Sequence, residues 1–316
     1  MKTIYLAIVS VLLITACDND LDQTPPLLLE SSALEEFGPV LNAAYYYQSG
    51  GSTPLGVMGD FRADNMLMLE SPYTAFDTYN ADLGGLDLVE QFFRPFYSNL
   101  YKAILSTNNV IDNSTDATEI AEAKFLRALS YFKLVMVFGD VTVNLSPAPS
   151  PSDLSILTRQ PAADVYNNVI IPDFQDAIAG LDNSGLTSGR ASKIAAQAFL
   201  GKVYLYRGNF TEAATTLGAV VNSAAAAGIT LESDFANVVV DGNSEIIFAT
   251  PLSTSVPNAY GSATTFVGWF SGADTKSLTP LDPRLIDAFD ASSAAGGGTD
   301  LRKALTIDTE NMNGSN

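Results

Sequence analysis

The residues best suited to touching a ligand lie outside any helical period. Between Gly59 and Gly85, the aromatic residues Tyr73, Phe76 and Tyr79 stand beside Asp64, Asn65, Asp77 and Asn80. A second stretch, PNAYGSATTFVGWFSG, gathers Tyr260, Phe266, Phe270 and Trp269, the sole tryptophan. Flat rings pack against the C–H face of a sugar while amides and carboxylates bond its hydroxyls, so this mixture suits a polyhydroxylated ligand. The same rings can instead form small cores under their own loops. Tyr45, Tyr46 and Tyr47 lie in a helical run, where packing against core or partner is the expected use.

Other chemistries have little to work with. The chain has no histidine and one cysteine, which removes the commonest general base, the commonest metal ligand and any disulfide framework. Glycoside hydrolysis needs two carboxylates roughly 5–10 Å apart, and the aspartates here are scattered without a pairing pattern. No catalytic residue, cofactor or metal is expected. The D-x-D-x-D run from Asp18 lacks the later ligands and the glycine of a calcium loop. The DGNSE segment from Asp241 has alternating oxygens that could bind calcium, but a tight turn is the better reading. With 35 Asp and Glu against 16 Lys and Arg, the formal charge is -19, which repels a phosphate backbone and argues against nucleic acid as a partner.

The cysteine, Cys17, has a telling position. Residues 1–16, MKTIYLAIVSVLLITA, carry Lys2 and then an apolar run from Ile4 to Ile14. That run falls short of the ~20 residues of a membrane-spanning helix and has the form of a secretory signal. LITAC resembles a bacterial lipobox, whose cysteine becomes the lipidated first residue of the mature chain. The alternatives are an ordinary signal with an accidental cysteine, or a buried N-terminal helix. Asp18, Asp20 and Asp22 follow in a polar stretch with no apolar period, as expected of a solvated tether. An acidic cluster at that place also resembles a surface-export signal of Bacteroidetes lipoproteins.

The elements that must position the loops read as helix after helix. Hydrophobic residues make up 47% of the chain and charged residues 16%, enough for a large core. A helix is expected from Ser32, with Glu35 completing a capping box. Phe93, Phe96, Tyr97, Leu100, Tyr101, Ile104 and Leu105 follow helical spacing, and TEIAEAKFLRALSYFKLVMVF runs to a stop at Gly139. VTVNLSPAPSPSD reads as a surface linker. Pro172 should bend or divide its helix. SEIIFAT reads as a short β-like run, and the tail to Asn316 as mainly loop.

In AFLGKVYLYRGNFTEAA, Leu200, Gly201, Tyr204, Gly208, Phe210 and Ala213 match tetratricopeptide spacing. Small Gly201 and Ala213 should let two helices approach, with Tyr204 and Phe210 filling the space beside them; a generic αα-hairpin uses the same residue types. The fold class is therefore mainly α, with stacked tetratricopeptide-like helix pairs, long irregular loops and little strand.

Taken in order, FYSNLYKAILSTNNVID, AEAKFLRALSYFKLVMVFGDV, SKIAAQAFLGKVYLYRGNFTEAA, EIIFAT and LDPRL resemble the SusD/RagB family. The family's central block is met by Glu122, Ala123, Phe125, Arg127, Ala128, Tyr131, Phe132, Leu134, Phe138, Gly139 and Asp140. The resemblance implies a non-enzymatic surface lipoprotein of Bacteroidetes. Such a protein captures glycans, or peptides in the RagB branch, as the lid of a TonB-dependent (SusC-like) outer-membrane transporter. It implies a signal peptide at 1–16, a lipidated acidic tether at 17–31 with its anchor in the outer membrane, and a helical domain at 32–316. Family chains usually continue past the D-P-R segment, so that domain is expected to be incomplete at its C-terminus. A tetratricopeptide protein-interaction scaffold is the alternative, disfavoured by the length of the aromatic loops. Arg127 and Glu122 are expected to form buried ion pairs that serve the architecture.

Overall fold

The computed structural model describes residues 34–79, 88–150, 152–250 and 281–307. The chain divides into two units, Met1–Glu36 and Phe37–Asn316; only residues 34–36 of the first are described, and the architecture below belongs to the second. Its helices are α1 (Gly38–Ser49), α2 (Ser52–Phe61), the short α3 (Thr74–Thr78), α4 (Arg94–Asn113) and α5 (Ala117–Phe138). A two-residue antiparallel ribbon, β1 (Val141–Thr142) with β2 (Arg159–Gln160), leads to α6 (Ala162–Val165), α7 (Ile171–Gly180), α8 (Lys193–Tyr206) and α9 (Phe210–Ala224). Two further helices, α10 (Pro283–Gly296) and α11 (Leu301–Thr306), lie in what reads from sequence as a loop-rich tail.

The centre is α5. Asp116 caps it, its carboxylate accepting from the Thr118 and Glu119 N–H groups at 2.7 and 3.2 Å, and Gly139 ends it with φ +68°, where a side chain would be strained. Buried residues occur all round α5, from Ala121 to Val135, as expected of a helix enclosed by others. α1, α4 and α7 pack against it, α8 packs on α7, and α9 on α8. Phe125 anchors the aromatic core, meeting Phe174, Phe199 and Phe248 at 5.9, 5.8 and 5.1 Å. Phe248 explains SEIIFAT: residues 244–250 form no strand. No neighbouring ladder lies beside them among the described residues, and the segment contributes a ring to the helical core instead.

Two prolines shape the helices in the same way. Pro95 and Pro172 each follow a single π turn, Val89–Phe93 and Tyr166–Ile170. Proline donates no N–H, and its ring crowds the carbonyl four residues back. Widening the preceding turn to i→i+5 relieves the conflict without ending the helix. The Arg94 N–H accordingly donates to the Val89 carbonyl, and that of Ile171 to Tyr166.

The repeat-like pair α8–α9 is real and differs in detail. A Cβ on Gly201 would stand 2.5 Å from Leu217 Cδ2, so glycine is what lets α9 approach this closely. Ala213 is buried, but Phe210 is 69% exposed and does not fill the space beside the pair. It opens α9, where its ring projects beyond the contact with α8. Two other expectations change. The first described helix starts at Gly38, with Phe37 before it and Pro39 in its first turn, where proline is well suited; residues 34–37, Glu35 among them, are not helical, and Ser32 lies outside the described residues. The Ser-Pro linker after α5 is tied down, since Tyr131 and Asn108 bond Asn144 and the Tyr101 hydroxyl donates to the Thr142 carbonyl at 2.7 Å.

Polar groups fasten the core where apolar packing alone would not set register. Arg127 donates twice to Asp173, at 2.7 and 2.9 Å, and once to Asn108 at 2.9 Å. Burial pushes the Asp173 carboxyl up, and the Arg127 hydrogen bonds pull it back. Glu122 accepts from the Tyr45 hydroxyl and from Arg190 Nε at 2.6 and 2.8 Å. Burial first, and the Glu122 charge next, push the Tyr45 phenol up. Asp140, just past α5, caps α6 by accepting from the Ala162 N–H at 2.9 Å.

Candidate functional site

The Gly59–Gly85 stretch is more ordered than its composition suggests, because α2 ends inside it and α3 lies within it. At its base is an aromatic cluster. Phe61 is fully buried and meets Tyr73, Phe76 and Phe92 edge-on at 6.0, 5.6 and 6.3 Å, while Phe76 stacks on Phe93 at 6.5 Å. Phe76 is only 7% exposed; it holds the loop down and does not line its surface. Tyr73 is half-buried, with its ring on Phe61 and its hydroxyl donating to Gln91 at 3.0 Å. Asp77 accepts from the Met68 N–H at 3.2 Å, a brace across the loop.

Tyr79 does the opposite. Its ring is 65% exposed, yet it is held at both ends. The Arg62 guanidinium lies 5.1 Å from the ring centroid, and the Tyr79 hydroxyl donates to the Arg62 carbonyl at 3.2 Å. Its backbone is left-handed, φ 52°, as is that of Asp64, φ 58°. Such conformations disfavour non-glycine residues and persist where surrounding contacts enforce them.

The loop is also tied to a distant part of the chain. Met66 forms an antiparallel bridge with Leu281, and the Asp282 N–H donates to the Asn65 carbonyl at 3.0 Å. Asp282 caps α10 and grips Arg284, whose hydrogen bonds hold its carboxyl below the usual carboxylate range. Arg284 in turn reaches toward exposed Asp64 at 3.9 Å. Asn65 bonds Asp60 at a long 3.4 Å. The surface therefore offers one fixed aromatic ring, two guanidinium groups and a carboxylate. That set can stack on a sugar and bond its hydroxyls.

Of the residues singled out from sequence, Asp64, Asn65, Tyr73, Phe76 and Tyr79 share this region, with Phe76 buried beneath its surface. Asn80, Tyr260, Phe266, Trp269, Phe270 and Cys17 lie outside the described residues. Arg62 and Arg284 went unrecognised as loop partners; the only sequence signal was the LDPRL run, which says nothing of what Arg284 reaches.

A family model described as "Starch-binding associating with outer membrane", SusD-like, matches residues 32–205. The chain belongs to the SusD-like family. SusD-like protein P2 of Formosa agariphila is 32% identical over 167 residues, 50% of this chain and 33% of that protein. SusD-like protein P38 of the same organism is 27% identical over 229 residues, covering 69% and 45%. The chain thus spans less than half the length of these relatives. Among solved structures, a laminarin binding SusD-like protein is similar at 25% identity with a TM-score of 0.54, over 67% of this chain and 50% of that one. A SusD superfamily protein from Bacteroides vulgatus shares the fold at 24% identity and a TM-score of 0.57. The resemblance read from the central block therefore holds. Its residues have mechanical duties: Glu122, Arg127, Tyr131 and Asp140 make the bonds described above, and Phe125, Phe132 and Leu134 are buried.

Proposed function

We propose that this SusD-like chain captures a glycan at the cell surface and passes it uncleaved to a SusC-like TonB-dependent transporter in the outer membrane. On this reading Cys17 carries the lipid anchor, and the acidic residues after it form the tether, facing the cell exterior. The observation that carries the reading is Tyr79, an exposed ring fixed by Arg62 in a left-handed backbone, on a loop whose Asp64 faces Arg284. Fixing the ring before binding removes part of the ordering cost that a mobile side chain would incur.

Affinity gel electrophoresis on the neutral polysaccharide laminarin, with a panel of other neutral glycans and of peptides, tests it. Retardation is expected on at least one neutral glycan, with no new reducing ends on incubation. Tyr79→Ala should weaken binding by about tenfold, the worth of one aromatic contact. Unchanged retardation of Tyr79→Ala, retention by peptides alone, or sustained cleavage would each overturn the reading.

A further inference from the structure

A second surface of the domain has a character at odds with the chain's acidity. It is built on α5, on the π turn at Tyr166–Ile170 and at the end of α8, elements other than those that hold Tyr79. Phe132 is buried at its base and meets Tyr206 at 5.5 Å and Tyr166 at 6.2 Å, both edge-on. Cations sit on both tyrosines: Lys202 lies 5.8 Å from the Tyr206 ring centroid and Arg207 lies 5.4 Å from that of Tyr166. Arg207 also donates to Asn167. Tyr206 is 59% exposed, so this layered arrangement opens to solvent.

Lys133, the residue after Phe132, adds a third cation. Its only hydrogen-bond partner among the described residues is Ser52, at 3.4 Å. None of Lys133, Lys202 and Arg207 has a carboxylate partner there. Burial first, and the Lys202 charge next, push the Lys133 ammonium down to about 8. In a chain with 35 acidic and 16 basic residues, a neighbour drawn at random would be acidic about twice as often as basic. Lys202 and Arg207 each lie on a ring, Lys133 stands near Lys202, and no carboxylate among the described residues pairs with any of the three, so their positive charge is unanswered there and a bound anion would relieve it.

We propose that the Phe132, Tyr166 and Tyr206 cluster, with Lys133, Lys202 and Arg207, binds an acidic sugar unit, one bearing a carboxylate or a sulfate ester. The cations take the anionic group, with Arg207 suited to two-pronged bonding of its oxygens. The tyrosine edges and Asn167 face the rest of the ring. The sugar as carrier of the charge rests on the glycan-capture reading; the anion selectivity does not.

The test is affinity electrophoresis of the full chain in gels holding polygalacturonate (carboxylate), κ-carrageenan (sulfate ester), laminarin (neutral) or polyglutamate (acidic, no sugar). Retardation is expected in one or both acidic glycans, weakening as salt rises. Lys202→Gln with Arg207→Gln should weaken it about tenfold or more and leave binding to a neutral glycan unchanged. Tyr79→Ala should do the reverse. The two acidic polymers identify the group that binds. No retardation in either, no loss in the double variant, or equal retention by polyglutamate would overturn the proposal. Failure of the Tyr79 reading would appear separately, as no neutral-glycan binding by the unaltered chain or as neutral-glycan binding that Tyr79→Ala leaves unchanged.

Discussion

Replacing Arg127 by methionine isolates what the central polar contact does. The guanidinium spans α5, α7 and α4 through two bonds to Asp173 and one to Asn108, and Arg127, Asp173 and Asn108 are all buried. Methionine keeps most of the volume, so the cavity contribution is small. What remains is a buried carboxylate with no cation, which costs about 3–5 kcal/mol, and a buried Asn108 oxygen without its donor, about 1 kcal/mol more. Against a total stability of about 5–15 kcal/mol, that is a large fraction. Urea unfolding of Arg127→Met followed by circular dichroism should show it as a lower midpoint with the slope retained. Two further measurements separate this account from simple loss of packing. In the variant, Asp173 lacks the bonds that oppose its desolvation, so its folded pKa rises further above the unfolded value near 3.9. Stability associated with a raised carboxyl is present at low pH and lost as pH rises through the folded pKa. The penalty should therefore shrink from pH 7 toward pH 4. Arg127→Met with Asp173→Leu removes both charges and should recover most of the loss. A single-variant penalty below about 1 kcal/mol, or a double variant no better than the single, would refute the reasoning.

Two other predictions concern single side chains. Because Lys133 titrates near 8 and an unfolded lysine near 10.4, the unfolded chain binds more protons between those values, and stability should rise with pH across that window. Lys133→Met should abolish that rise in a pH series of thermal melts; a rise of equal size in the variant would reject the assignment. Cys17→Ala should release the protein from the membrane fraction of its host into the soluble fraction, and unchanged retention would rule out anchoring through that thiol.

What sequence could and could not reveal divides by range. Helices α4, α5 and α8 are legible because each carries its own evidence: apolar residues at helical spacing, Asp116 or Ser192 before the first turn, and Gly139 after the last turn of α5. The family block is legible for a related reason, since Arg127 and Glu122 stand at helix positions where a charge must be answered from a neighbouring helix. The ligand loop is different. Phe76 and Tyr79 are three residues apart in a helix of one turn and its cap, too short for any period to assign one inward and the other outward. Their fates depend on distant partners: Phe76 meets Phe61 and Phe92, and Tyr79 is caught by Arg62. The loop's outer edge depends on Leu281, Asp282 and Arg284, more than 200 residues later. The same physics explains the cationic cluster. Lys133, Tyr166, Lys202 and Arg207 are unremarkable singly, and only the packing of α7 and α8 with α5 brings the buried Lys133 ammonium near Lys202 and sets Tyr166 and Arg207 in the same cluster.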